Sequence, residues 1–274
     1  MKNDIKKIVQ LAISEDIGDG DLTSTLLENK MIVAEIVCRE NAVICGIDFA
    51  NLCFLSIDPK IQITWNVEDG SNVIPGQIIC RIYGFAKTIV TAERVALNFL
   101  QILSATSTKT AELVGLISGT KAKLLDTRKT IPGLRKAQKY AVKCGGGVNH
   151  RMGLYDCIML KENHILTIGS LEDSIRDAVI NFPKIPIIVE VESLDELKSV
   201  LSMTNITRIL CDNFSIPDLI EAVQISSGVY PIEASGGINE DNIIQYAETG
   251  VDFISIGSLT KDIRSIDLSL RFSD

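Results

Sequence analysis

The second half of this 274-residue chain repeats one unit. Short apolar stretches at 123–126, 157–161, 186–191, 208–212, 230–234 and 252–257 read as strands, with helical segments between most of them. From the third onward their centres recur about every 22 residues, the period of compact β-α units. Strands that alternate with helical crossovers pair in parallel and carry the helices on the sheet. Six strands are fewer than the eight of the common barrel. The expectation for this α/β region is therefore an open or reduced barrel of six to seven strands.

Up to about residue 106 the rhythm is α+β. Residues 31–38, 41–47, 61–67 and 77–83 read as strands, with turns at Glu68-Asp-Gly70 and Pro75-Gly76. A helix is expected over 85–104, where Val90, Ala92, Val95, Leu97 and Leu100 are apolar and Glu93 and Arg94 interrupt. Near the start, Ile5, Ile8, Val9, Ala12 and Ile13 recur at helical spacing, which predicts an amphipathic helix rather than a signal peptide. Nowhere do about 18 apolar residues run together, so no membrane span and a cytoplasmic location are expected.

Charge is distributed unevenly. The chain carries a net −8, which argues against a nucleic-acid binder. Yet residues 121–164 hold ten of the 27 Lys and Arg, three of the 35 Asp and Glu, and both histidines. That segment is net +7 and the remainder −15, the pattern of a pocket for a small molecule with several negative charges. The seven cysteines are odd in number and include no C-x-x-C pair, so free thiols in a reducing compartment are expected and a zinc site is not.

Within the basic segment, Arg128 and Lys129 directly follow a strand, at the rim where barrels bind ligands. Arg offers a planar fork for carboxylate or phosphate, and Lys a compact charge. Arg135, Lys136, Lys139 and Lys143 continue at helical spacing, and some of them read as a solvated face. His150 and Arg151 follow three glycines, whereas Lys161 and His164 close the second strand. A Lys inside an apolar strand rarely lacks a partner or a purpose. Alternation places Glu190 and Glu192 on one face of the next strand, and Asp212 ends the one after. Carboxylates there suit ribose hydroxyls or Mg²⁺, or a structural ion pair with Lys161 or Arg128. The last two strands end in Ser235-Gly-Gly237 and Gly257-Ser258, turns whose N–H groups can cradle a phosphate. Glu15–Ser24 lacks the spacing of a calcium loop. No Ser-His-Asp or Cys-His arrangement follows from spacing.

These blocks together resemble the quinolinate phosphoribosyltransferases. The resemblance runs nearly end to end, through Glu15-Asp-Ile-Gly-Asp-Gly-Asp-Leu-Thr23, Glu93-Arg-Val-Ala-Leu-Asn-Phe-Leu-Gln101, Asp126-Thr-Arg-Lys-Thr130, Pro132-Gly-Leu-Arg135, Lys139-Tyr-Ala-Val-Lys-Cys-Gly-Gly-Gly147, Asn149-His-Arg-Met-Gly-Leu154, Lys161-Glu-Asn-His164, Glu190-Val-Glu192, Asp212-Asn-Phe214 and Ser235-Gly-Gly237. It implies transfer of phosphoribose from phosphoribosyl pyrophosphate to quinolinate with decarboxylation, a step in NAD biosynthesis. It implies that Arg94, Arg128, Lys129, His150, Arg151 and Lys161 bind quinolinate carboxylates and phosphates. Glu190 and Asp212 would hold ribose hydroxyls and Mg²⁺, and Ser235, Gly236, Gly237 and Gly257 the 5′-phosphate. Lys129, Lys161, Glu190 and Asp212 are the catalytic candidates.

The implied architecture is an N-terminal α/β-sandwich domain over 1–106, to which the tail 267–274 returns, and a barrel over 107–266. The implied assembly is a homodimer with shared sites, Arg94 acting in the neighbour's. The sequence departs from the family pattern at Ser104-Ala-Thr-Ser-Thr108, where Ser-Gly-Ile-Ala-Thr is usual, at Glu162 and at Ile131. Three other readings compete: a related phosphoribosyltransferase with another acceptor, such as the molybdenum-linked paralogue, a Schiff-base aldolase using Lys161, and a non-enzymatic anion- or RNA-binding protein using the basic segment.

Overall fold

The computed structural model describes residues 2–161 and 170–273. Glu162 and His164 lie outside the described residues. The chain forms two compact units. One comprises Met1–Ala111, Ile131–Gly146 and Thr260–Asp274, the other Glu112–Thr130 and Gly147–Leu259. Residues 131–146, which the sequence reading counted with the barrel, belong to the first unit.

The first unit is built on an antiparallel sheet of β1 (Met31–Cys38), β3 (Gln62–Trp65), β5 (Ile78–Phe85) and β12 (Leu268–Phe272), in the order β12-β1-β5-β3. Ala34, Ile36 and Cys38 alternate inward along β1, and Ile36 and Ala34 face Cys80 and Ile82 of β5. The amphipathic helix α1 (Lys2–Ile17) buries Ile5 and Val9 in the same core. The strand expected over 41–47 is only β2 (Ala42–Val43), paired with β4 (Asn72–Val73). Its continuation is stopped by the Asp69 carboxylate, which accepts from the N–H groups of Gly46 and Ile47 and so starts α2 (Ile47–Ile57). Gly46 makes that turn at φ 110°, in the left-handed region that glycine favours.

Helix α3 (Ala86–Leu116) runs 31 residues, through the boundary expected at 106. Its Ser-Ala-Thr-Ser-Thr stretch stays helical, with Thr106, Thr108 and the following Thr110 each donating a hydroxyl to the carbonyl four residues back rather than breaking the helix. Three of its hydroxyls also serve the short strand β2 and its continuation. Cys45 N–H donates to Ser104 Oγ (3.0 Å), Ser107 Oγ donates to the Val43 carbonyl (2.6 Å), and Val43 N–H donates to Thr108 Oγ1 (2.8 Å). Of these three hydroxyls, Ser104 and Thr108 also stand in the usual family pattern, and the departure adds that of Ser107. Helix α4 (Arg135–Cys144) also belongs to this unit and buries Ala137, Gln138, Lys139, Ala141 and Val142. The reading of this segment as partly solvated holds for the exposed Lys136 and Lys143 but not for Lys139, which is fully buried.

The second unit carries the repeat. Strands β6 (Lys123–Leu125), β7 (Ile158–Leu160), β8 (Ile187–Val191), β9 (Arg208–Asp212), β10 (Ile232–Ser235) and β11 (Phe253–Ser255) form one sheet in the order β6-β11-β10-β9-β8-β7. All five pairings are parallel. Among the described residues β6 and β7 do not pair, so the sheet is open between them, and Val148 forms a parallel bridge to Leu125 on β6. Among the described residues, helices α5 (Leu171–Asn181), α6 (Leu194–Leu201), α7 (Ile216–Ser226) and α8 (Ile243–Glu248) lie between these strands in the chain, and α9 (Ser258–Lys261) follows β11. Ser170, Ser193 and Ser215 start α5 to α7, each accepting from the N–H of an acidic residue three positions on. Period two then sorts the strands. Leu160, Val189, Ile209, Ala234 and Ile254 join the outer core with the helices, while Cys157, Ile188 and Leu210 cluster separately on the inner face.

Ser107 gives a direct test of the hydroxyl row. Ser107→Ala leaves the Val43 carbonyl without its hydroxyl donor, and the expected cost is about 1–3 kcal/mol. Urea unfolding should show a lower midpoint with an unchanged slope. An unaltered midpoint would mean that the row does not hold β2.

Candidate active site

Inner-face positions bring charge to the carboxyl ends of these strands. Leu160 pairs with Val189, so Lys161 stands level with Glu190. Its Nζ lies 2.6 Å from Glu190 Oε1, and Glu190 is nearly enclosed while Lys161 keeps 42% of its side chain exposed. Glu190, Glu192 and Asp212 each offer a carboxylate oxygen within 4.8 Å of the others. Glu192 is steadied by its own N–H, which donates to Glu196 Oε2 on α6. Asp212 accepts from the Asn213 side-chain amide at 3.0 Å. Three hard oxygen donors in one place are a donor set suited to magnesium. Lys161 places a cation on the same carboxylate group.

The basic side follows β6. Lys129 N–H donates to Thr127 Oγ1 and Thr130 N–H to the Arg128 carbonyl, a tight turn that exposes Arg128 and Lys129. The Lys129 stem crosses Gly257 so closely that a Cβ there would sit 2.8 Å from Lys129 Cδ. The glycine at the end of β11 thus makes room for a cation. Arg151 is half-buried, and its Nη1 donates to the Cys157 carbonyl at 3.2 Å. Burial, and then the neighbouring Arg128 guanidinium, hold the Arg151 pKa below its usual value. Two guanidiniums that repel each other gain most when an anion lies between them.

At the end of β10, Ser235 pairs with Asp212 on one side and Ser255 on the other. Gly236 has φ 99°, and a Cβ on it would meet Asn213 Oδ1 at 2.1 Å. Only glycine fits, and the main chain of 235–237 is left facing the same edge as the carboxylates.

The second unit therefore brings together Lys161, Glu190 and Asp212, sets Lys129 against Gly257, and couples Arg128 to Arg151. Arg94 is an exposed residue of α3 in the first unit, so it is not among the groups that the second unit assembles by itself. His150 lies in the irregular stretch after Val148, with its side chain buried, 6% exposed. Asp126, Arg208 and Glu233 are not among the expected site residues. Asp126 and Glu233 are fully buried. A Glu inside the apolar run Ile232-Glu-Ala-Ser235 was the available signal, of the same kind as Lys161.

Two family models match this chain: the quinolinate phosphoribosyl transferase N-terminal domain over residues 21–104 and its C-terminal domain over 106–271. A nicotinate-nucleotide pyrophosphorylase [carboxylating] of Mycobacterium leprae is 39% identical, covering 96% of this chain and 95% of its own. A mitochondrial quinolinate phosphoribosyltransferase [decarboxylating] 2 of Nicotiana glauca is 38% identical, covering 98% of this chain and 82% of its own. The solved nicotinate-nucleotide pyrophosphorylase of Francisella tularensis is 44% identical and superposes with a TM-score of 0.98, covering 100% of this chain and 97% of its own. Domain models spanning nearly the whole chain, and relatives similar over almost their full length, place it in the quinolinate phosphoribosyl transferase family.

Proposed function

We infer that this chain transfers phosphoribose from phosphoribosyl pyrophosphate to quinolinate with decarboxylation. The products are nicotinate mononucleotide, pyrophosphate and CO₂, a step in NAD biosynthesis. The observation that carries this reading is the meeting of Lys161 with a carboxylate group at one sheet edge, beside the Arg128–Arg151 pair. Quinolinate and phosphoribosyl pyrophosphate are both polyanions, and cations serve each.

The chemistry asks for little covalent help. The pyridine nitrogen attacks the ribose carbon as pyrophosphate leaves, so the protein supplies orientation and charge stabilisation. Lys161, Lys129 and the two arginines neutralise carboxylate and departing phosphate charge. Ser235, Gly236, Gly237 and Gly257 receive the 5′-phosphate. Glu190 and Asp212, with Glu192, would hold Mg²⁺ and ribose hydroxyls, and the metal when bound would share the charge of the leaving pyrophosphate. After ribosylation the bond from C2 to its carboxyl group breaks and CO₂ leaves; the electron pair stays on C2, stabilised by the adjacent cationic ring nitrogen, and a proton from water takes the vacated position.

A homodimer with shared sites completes the reading. Arg94 is exposed and belongs to the unit that does not build the carboxylate group, which supports a role in a partner's site. The free cysteines accord with a cytoplasmic, reducing compartment.

Purified protein with both substrates and Mg²⁺ should release CO₂ and form the mononucleotide; no product would sink the assignment. Lys161→Ala and Arg128→Ala should each lower kcat/KM by about 100-fold or more, since such a loss of charge stabilisation is worth roughly 3 kcal/mol. Near-wild-type rates would remove these residues from the site. Chelation of Mg²⁺ should stop turnover, and full activity in excess chelator would contradict the proposed metal. Two inactive chains, Arg94→Ala and Lys161→Ala, should regain part of the activity when combined in heterodimers. No recovery in confirmed heterodimers would argue against shared sites.

A further inference from the structure

Behind the basic side of the site lies a charge pair with no role in the reaction as derived above. Glu233 is completely buried, on the inner face of β10 two residues before Ser235. Arg208 Nε lies 2.8 Å from its Oε2, with 14% of the Arg208 side chain exposed. That contact is not aligned as a hydrogen bond, and among the described residues neither Glu233 oxygen accepts one. The Arg208 guanidinium also covers the Phe253 ring, 4.7 Å from its centroid. A buried ion pair of this quality gains little stability over apolar residues of the same size. What it does do is present a fixed negative charge to a third group.

That group is His150. Its Nε2 lies 3.5 Å from Glu233 Oε1. On the other side of the ring, the N–H of Arg151 donates to His150 Nδ1 at 2.7 Å. An imidazole nitrogen that accepts a hydrogen bond carries no proton, so the proton of the neutral ring sits on Nε2, facing Glu233. The main chain of His150 is fixed as well, its N–H donating to the buried Asp126 Oδ1 at 2.8 Å.

We propose that Glu233, balanced by Arg208, is a positioning residue: it holds His150 in the Nε2–H tautomer, which leaves Nδ1 to fix the main chain of Arg151 and so aims the Arg151 guanidinium at the acceptor's carboxylates. Nδ1 of His150 is thus turned to the main chain of Arg151 and Nε2 to Glu233. The catalytic part of this proposal rests on the activity inferred above; the tautomer does not.

The test uses the full chain, ¹⁵N-labelled, whose two histidines make the imidazole spectrum simple; a His164→Asn variant assigns them. Wild-type His150 should show a protonated Nε2 and an unprotonated Nδ1. The charge-balanced pair Arg208→Met with Glu233→Leu removes both charges and leaves neither bare. It should give a mixed tautomer signal and a quinolinate KM raised about tenfold, with the phosphoribosyl pyrophosphate KM changed less than about twofold. Glu233→Gln keeps the shape of the side chain but not its charge; it should move the tautomer signal and the quinolinate KM in the same direction as the paired variant, and it stands in, with the same readings, if the paired variant does not fold. Retention of the pure Nε2–H pattern in the paired variant would overturn the tautomer assignment. A changed pattern with unchanged quinolinate KM would overturn the positioning role. A wild-type protein without turnover would overturn the inferred activity alone, because the ring spectrum still reads the arrangement.

Discussion

In-register parallel pairing of β8, β9 and β10 is the constraint on which the site depends. Asp212 stands level with Ser235 and Glu190 with Leu210, and Lys161 continues the strand that brings Leu160 beside Val189. Since side chains alternate with period two, a slip of one residue in any pairing would turn these charges into the helix-facing core. The outer face cannot accept them, because Val189, Val191, Ile209, Cys211 and Ala234 are packed there against the helices. Hydrophobic packing on one face thus fixes the electrostatics of the other.

The same arrangement separates two kinds of charge. Lys161, Glu190, Glu192 and Asp212 sit at the strand ends, where water or a ligand can complete their shells. Glu233 and Arg208 lie deeper along the same inner face, where only protein can. In such surroundings charge is expensive to move and therefore effective at holding orientation. The edge is suited to exchanging charge with substrates, and the interior to fixing what the edge presents.

Much of this was legible in the chain. The six strands of the parallel sheet fall within a few residues of their expected positions, because each is a compact apolar run bounded by polar turns. Lys161 and Asp212 could be placed at strand ends because each closes an apolar run, and Glu190 on the face of Glu192 from alternation. Three features could not. The long helix α3 hides its continuation, since a Ser/Thr-rich stretch reads as a break unless its hydroxyls are known to bond back along the helix and across to Val43 and Cys45. The strand expected over 41–47 is cut short by Asp69, a cap supplied from a distant turn. The placing of His150 involves Asp126, just past the end of β6, and Glu233 on β10, and no local pattern around Cys144-Gly-Gly-Gly reports that.

The pairing of β12 with β1 also bears on how the chain is made. Cys38 faces Leu268 and Ala34 faces Phe272, so the sheet of the first unit lacks an edge strand until residue 272 has been synthesised. Residues near the beginning must wait for residues more than two hundred positions later, a pairing of very high sequence separation that slows folding. The second unit, nested between those segments, can assemble first. Ribosome-bound chains should therefore carry an incomplete first unit beside a formed parallel sheet, with β1 the strand most exposed to mispairing and to chaperones.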